Sequence, residues 1–127
     1  VHLVGARAPL HVTAVGKLYL AEDGPQKLRE YAKRTGLPGY TPASLTSLTA
    51  LEREVDRARR HGVAFDNEEI EQGLRCIAAP VRDDSGELVA GLSVSAPAER
   101  HSPDWAQIVK QTADAISIAI GHTPSAR

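Results

Sequence analysis

The order of local signals along this 127-residue chain predicts an α+β fold, a mainly antiparallel sheet with helices packed against it. Three observations carry that expectation. Two strand-like runs, LRCIAAPVR at 74–82 and LVAGLSVSA at 88–96, bracket the turn Asp83-Asp84-Ser85-Gly86 and read as a hairpin. An opening strand, three helical segments and one short strand precede the hairpin. A long amphipathic segment ending at Gly121 follows it.

Taken in order, residues 1–12 alternate weakly and contain Pro9, which predicts an edge strand entering a turn. Thr13 is placed to cap a short helix from Ala14 to about Ala21. A second helix is bounded by Asp23 as cap, Pro25 in the first turn and Gly36 at the end, with Leu28, Tyr31, Ala32 and Thr35 on one face. The stretch LPGYTPASLTS (37–47) reads as a loop. Thr49 and Glu52 form a capping box for a third helix over 50–61, which turns Leu51, Val55 and Ala58 inward and stops at Gly62. Its Arg57, Arg59, Arg60 and His61 suit the negative end of the helix dipole and read as a solvated helix end.

Val63-Ala64-Phe65 reads as a strand ending at Asp66, followed by an acidic loop closed at Gly73. After the hairpin, Ser102 and Pro103 open the last helix. Trp105, Ile108, Val109, Thr112, Ile116, Ala119 and Ile120 give it an apolar stripe that either covers the sheet or meets a partner helix. HTPSAR (122–127) reads as a frayed tail.

Composition bounds the function. The length suits one domain with one core. A net charge of −1 offers no phosphate-binding surface of the kind that dominates nucleic-acid affinity. One cysteine cannot form an internal disulfide, which fits a reducing cytoplasm. No apolar run approaches the roughly 20 residues of a membrane span, so no membrane partner is expected. The chain opens on VHLVGARAPLH and contains no Met, and is read as a piece of a longer protein.

The hairpin holds the candidate site. Side chains alternate along a strand, so Leu74, Cys76, Ala78 and Pro80 share one face, and Arg75, Ile77, Ala79 and Val81 the other. Leu88, Ala90, Leu92, Val94 and Ala96 form an apolar face of the second strand, opposite Val89, Gly91, Ser93 and Ser95. If Asp83 pairs with Gly86, Cys76 stands opposite Ser93, Leu74 opposite Ser95 and Ala78 opposite Gly91. That arrangement predicts a shallow polar notch with a thiol, two hydroxyls and room above Gly91. A half-exposed sheet face with a buried cysteine accounts for the same residues.

The helix after Thr13 adds a second candidate. The backbone N–H groups of Ala14, Val15 and Gly16 lie in a first turn without intrahelical acceptors, and Gly16 has no side chain to screen them. Such a turn is either an anion site or simply solvated. Catalysis finds less support. A thiol nucleophile at Cys76 would need a nearby histidine, and only His11 lies beside a site element. Asp66, Cys76 and His11 come from three separate elements, and no Walker or dinucleotide-binding glycine pattern is present. No cofactor is expected.

Together, PLHVTAVGK (9–17), GVAFDNEEIEQGLRCIAAPVRDDSGELVAGLSVSAPAER (62–100) and the late helix resemble the C-terminal effector-binding domain of IclR-type bacterial transcriptional regulators. The resemblance spans nearly the whole chain. It implies a GAF-like fold with a curved antiparallel sheet, a pocket for a carboxylate metabolite or aromatic acid, and dimers or tetramers. It also implies that residues 1–127 are an N-terminally truncated effector-binding domain, with the winged helix-turn-helix domain absent and DNA bound only through that domain. Carried over by position, the pocket residues are Ala14, Val15, Asp66, Cys76, Ser93 and Ser95, to which the helix-start reading adds Gly16. Val15 is larger than usual for its position and is expected to narrow the pocket. Two other classes compete: a metal- or thiol-dependent hydrolase using Cys76, Asp66 and His11, and a structural dimerisation module that binds no ligand.

Overall fold

In the computed structural model, which describes residues 5–124, a three-stranded antiparallel sheet carries helices on both faces. A short 3-10 helix, Leu10–Val12, leads into α1 (Ala14–Asp23), α2 (Pro25–Thr35) and α3 (Leu48–His61). Strands β1 (Ala64–Asn67), β2 (Leu74–Arg82) and β3 (Leu88–Pro97) follow, and α4 (Trp105–Ala119) closes the order. The sheet order is β1-β2-β3. Among the described residues no helix is long and apolar enough to cross a membrane.

The helix boundaries have local causes. Thr13 caps α1 as expected, its Oγ1 accepting the Gly16 N–H at 3.2 Å. Gly36 and Gly62 end α2 and α3 in the left-handed conformation, at φ 71° and 73°, which an L side chain resists. Two expected caps are displaced. Asp23 is the last residue of α1, and Gly24 with Pro25 opens α2. The cap of α3 is Ser47, whose hydroxyl accepts the Ala50 N–H at 3.2 Å; Thr49 already lies inside the helix. The expected opening strand is also absent over residues 5–12. Residues 6–9 have no regular structure, Leu10–Val12 form the 3-10 helix, and residues 1–4 lie outside the described residues.

The two sheet faces bury different partners. Ile77, Ala79 and Val81 of β2 pack with Val63, Val109 and Ala113 on the α4 side. Cys76, Ala78 and Ala64 pack with Ala14, Leu18 and Ala58 on the α1–α3 side. A third cluster, built on Leu20, Leu28, Tyr31, Leu51 and Val55, joins α1, α2 and α3 away from the sheet. On α4 the buried line is Val109, Ala113 and Ser117, spaced by four. The Ser117 hydroxyl accepts the Arg82 N–H at 2.9 Å, which holds the small-residue face of α4 to the end of β2. Ile108, Ile116 and Ile120, placed in the predicted stripe, stay exposed together with Ile118. His122, expected in a frayed tail, is instead tied down by its N–H to the Ser117 carbonyl and by its ring to the Asp83 carbonyl.

The hairpin register differs from the expected one by two residues. Cys76 stands opposite Ser95, Ala78 opposite Ser93, and Pro80 opposite Gly91. The shift accumulates in two steps. The Asp83 N–H donates to the Glu87 carbonyl rather than pairing at Gly86, which lengthens the loop by one residue. Asp83 Oδ1 fixes that loop by accepting from the Ser85 N–H, the Ser85 hydroxyl and the Glu87 N–H, and Gly86 takes φ 82°. A bulge then leaves Val89 unpaired between Arg82↔Leu88 and Val81↔Ala90. The bulge also moves Leu88 to the Cys76 face, where it joins the α1–α3 cluster instead of lying with Ala90 and Leu92. Beyond the bulge the two steps cancel in side-chain direction, so Ser93 and Ser95 keep the face expected for them.

Candidate functional site

Strand pairing lines up one row across the sheet: Asp66 on β1, Cys76 on β2, Ser95 on β3. The adjacent row is Ala64, Ala78, Ser93. The start of α1 lies over these rows, and the space between is a cavity of about 350 Å³. Ala14, Val15, Gly16, Asp66, Cys76, Ser93 and Ser95 all line it. Its apolar wall is completed by Ala8, Leu10 and Tyr19. Ser93 and Ser95 are exposed, so the cavity opens on the β3 side.

The helix start is more committed than its sequence implied. The Gly16 N–H is taken by Thr13 Oγ1, and the Lys17 N–H donates to the Thr13 carbonyl at 3.1 Å. The first-turn amides left for a ligand are those of Ala14 and Val15. Gly16 serves packing: a Cβ there would stand 2.5 Å from the Leu10 Cα and carbonyl oxygen, so only glycine lets the 3-10 helix approach α1. The room expected above Gly91 is filled as well, because a Cβ on residue 91 would come within 3.0 Å of both Val15 methyls.

Asp66 is 1% exposed. Its Oδ1 accepts the Glu69 N–H at 2.8 Å, which turns the chain after β1. Burial, with a smaller push from the neighbouring Glu69 charge, raises its carboxyl to about 6; the Glu69 and Ile70 amides and Lys17 pull the other way. Behind it lies a buried ion pair. Lys17 of α1, 1% exposed, donates to Glu69 Oε1 at 2.7 Å and to the Phe65 carbonyl at 2.5 Å. Glu69 Oε2 accepts the Asn67 N–H at 3.0 Å. The acidic loop is held from outside too, since the Thr41 and Ser44 hydroxyls donate to the Glu68 and Glu69 carbonyls, each at 2.6 Å. The 37–47 loop is therefore a clamp on the loop that follows Asp66.

Cys76 Sγ lies 3.0 Å from Ser95 Oγ. Burial pushes the thiol up and the Asp66 charge adds to that, against the Ser95 hydrogen bond, so the sulfur stays protonated and is a poor nucleophile. His11 does not join it. The ring is fully buried away from the cavity, with Nδ1 2.8 Å from the Tyr31 hydroxyl and Nε2 2.8 Å from the Pro38 carbonyl. Cys76, Asp66 and His11 thus fail to converge, and the histidine is a structural tie between the 3-10 helix, α2 and the loop after it. Lys17 and Glu69 escaped the sequence reading; the available signal was a lone charge in the otherwise uncharged helical run AVGKLYLA.

The family model for the bacterial transcriptional regulator IclR C-terminal domain matches residues 1–118. The HTH-type transcriptional repressor AllR of Klebsiella pneumoniae is 40% identical over 127 residues, covering 97% of this chain and 47% of the repressor. The chain thus spans about half the length of the curated relatives it matches. Among solved structures, the Agobacterium tumefaciens repressor BlcR superposes with a TM-score of 0.90 at 31% identity, over 97% of this chain and 51% of that one. The inducer-binding domain of PobR from Acinetobacter, a double mutant in complex with 3-hydroxybenzoic acid, gives 0.83 at 27% identity, over 91% and 69%. An IclR homolog from Microbacterium hydrocarbonoxydans in complex with 4-hydroxybenzoate gives 0.82 at 29%, over 91% and 47%. These relatives are regulators rather than enzymes. With a family match across nearly the whole length, and a fold shared with solved C-terminal domains, the chain belongs to the IclR family of bacterial transcriptional regulators, as its C-terminal effector-binding domain.

Proposed function

We propose that the cavity under the start of α1 binds a small organic acid, and that this binding is the sensing event of a cytoplasmic transcriptional regulator. The observation that carries the reading is the shared cavity itself. Ala14 and Val15 at the helix start, Ser93 and Ser95 of β3 and Asp66 of β1 all line one space of about 350 Å³. That volume lies at the small end of the roughly 300–1,000 Å³ of ligand pockets. Two amides at a helix start favour an anion. The serine hydroxyls donate to the same carboxylate, and Asp66 takes a hydrogen bond from a hydroxyl on the ligand. Two structural neighbours whose names include a bound hydroxybenzoic acid support the ligand class.

The regulatory step is part of the same proposal. The domain self-associates as a dimer or tetramer, and a bound effector favours one arrangement of the subunits. That arrangement sets the spacing of DNA-binding domains carried elsewhere in the regulator, while this domain itself contacts no operator. Thermal-shift screening against small organic acids identifies the effector, because a ligand of the native state raises its apparent stability. Titration calorimetry with the best acid then tests the site. Ser93→Ala and Ser95→Ala each weaken it by roughly five- to thirty-fold with the fold intact. Wild-type affinity in both folded variants would place the ligand elsewhere.

A further inference from the structure

Among the described residues Asp66 pairs with no cation, although Lys17 lies close by. The Lys17 ammonium is spent on Glu69 and the Phe65 carbonyl, and both Glu69 oxygens are engaged, by Lys17 and by the Asn67 N–H. An acid entering the cavity therefore brings a second anion beside a carboxylate that is almost fully buried and unneutralised. Two carboxylates sharing an enclosed site cannot both stay ionised cheaply, and the usual resolution is that one takes up a proton.

We propose that Asp66 makes effector binding proton-coupled: the acid binds as its anion together with one proton from solvent, which the Asp66 carboxyl carries. This rests on the acid-binding reading of the cavity. Protonated, Asp66 ceases to repel the ligand and gains one O–H donor while keeping acceptor capacity for a ligand hydroxyl. The groups facing Asp66 leave it as the proton's place. Lys17 from α1 and Glu69 from the following loop are locked to each other, and Cys76 from β2 already holds its proton. Tyr19 of α1 lines the same cavity, and His11 points away toward Tyr31 and Pro38. Burial holds the empty-site carboxyl near 6, so at neutral pH it is mostly ionised yet within easy reach of a neighbouring anion's push. The domain would then report acidity as well as effector concentration, and would reject amides and esters that bring no charge to the helix start.

Calorimetry on the 127-residue chain tests this with glycolate, lactate, 3-hydroxybenzoate and 4-hydroxybenzoate as probes, each titrated at pH 7 in phosphate and in Tris. The two buffers differ in ionisation enthalpy, so the difference in observed heat counts protons. For the acids that bind, we expect uptake of about 0.9 proton per ligand at pH 7, and affinity falling about tenfold per pH unit from 6.5 to 8. Asp66→Asn should abolish the uptake and flatten the pH profile, whatever its affinity at a single pH. Binding without uptake and with a flat profile in the wild-type chain overturns the proposal while the cavity reading stands; this arm needs no variant to fold. Uptake that persists in Asp66→Asn puts the proton elsewhere and overturns it too. No binding by any of the four acids at millimolar concentration overturns the cavity reading and the proposal together.

Discussion

Val15 sits on Gly91: both of its methyls lie where a Cβ on residue 91 would approach to 3.0 Å. The start of α1 is thereby seated on β3 at one end of the cavity, and the seat is full.

Gly91→Ala should therefore lift the helix start rather than fill a gap. We expect a loss of about 1–3 kcal/mol in folding stability and weaker effector binding. Val15→Ala should have the opposite effect on the cavity, enlarging it and shifting preference toward bulkier acids. The double variant should recover most of the stability lost in Gly91→Ala, because the two side chains compete for one volume. Urea unfolding of the two single variants and the double, with calorimetry on each, reads all three outcomes.

The Tyr31 hydroxyl ties α2 to the 3-10 helix and, through His11, to the loop after α2. It receives the Leu10 N–H at 3.0 Å and meets His11 Nδ1 at 2.8 Å, while the other ring nitrogen meets the Pro38 carbonyl. Tyr31→Phe strands two polar groups in the interior and should cost about 1–3 kcal/mol. Because His11 and Tyr31 lie outside the cavity, the same variant should bind effector with affinity unchanged within about twofold. A large affinity loss without destabilisation would reassign His11 to the site.

Asp66 also imposes a pH dependence on folding of the empty domain. Its carboxyl titrates near 3.8 when unfolded and near 6 when folded, so the folded state binds more protons in between. Its contribution to stability is complete below about 4 and is lost as pH rises through about 6. Relative to wild type, Asp66→Asn should accordingly gain about 2–3 kcal/mol between pH 4 and pH 7. Chemical unfolding of both proteins across that range measures the difference; a constant gap would show that folding leaves the Asp66 titration unchanged.

Much of the fold was readable because its causes are local. Thr13, Gly36 and Gly62 mark helix ends by their own backbone chemistry, and Leu51, Val55 and Ala58 mark a buried face by spacing alone. The gathering of Ala14, Val15, Asp66, Cys76, Ser93 and Ser95 was legible from strand alternation together with a family resemblance. What stayed hidden depends on distant partners. No local rule says that Lys17 meets Glu69 52 residues away, or that His11 turns to Pro38 rather than Cys76. Ser47 and Thr49 are both good caps, and α3 begins two residues earlier than expected, with the Ser47 hydroxyl accepting the Ala50 N–H. The direction of the Ala14–Gly16 turn was foreseen, but its remaining capacity was not, since Thr13 uses the Gly16 amide itself.

The hairpin's two single-residue steps, the longer loop and the Val89 bulge, have a consequence for how this chain can change in length. Each step alone inverts the strand beyond it, and only their sum preserves orientation, so the face of β3 that carries Ser93 and Ser95 is governed by parity. Deleting one residue from 84–86 would turn Ser93 and Ser95 toward α4 and drive Leu92 and Val94 into the cavity. Removing Val89 as well would restore them. Insertions and deletions in this hairpin are therefore tolerable in pairs and ruinous singly, a constraint on the gene that no inspection of the loop's own residues would disclose.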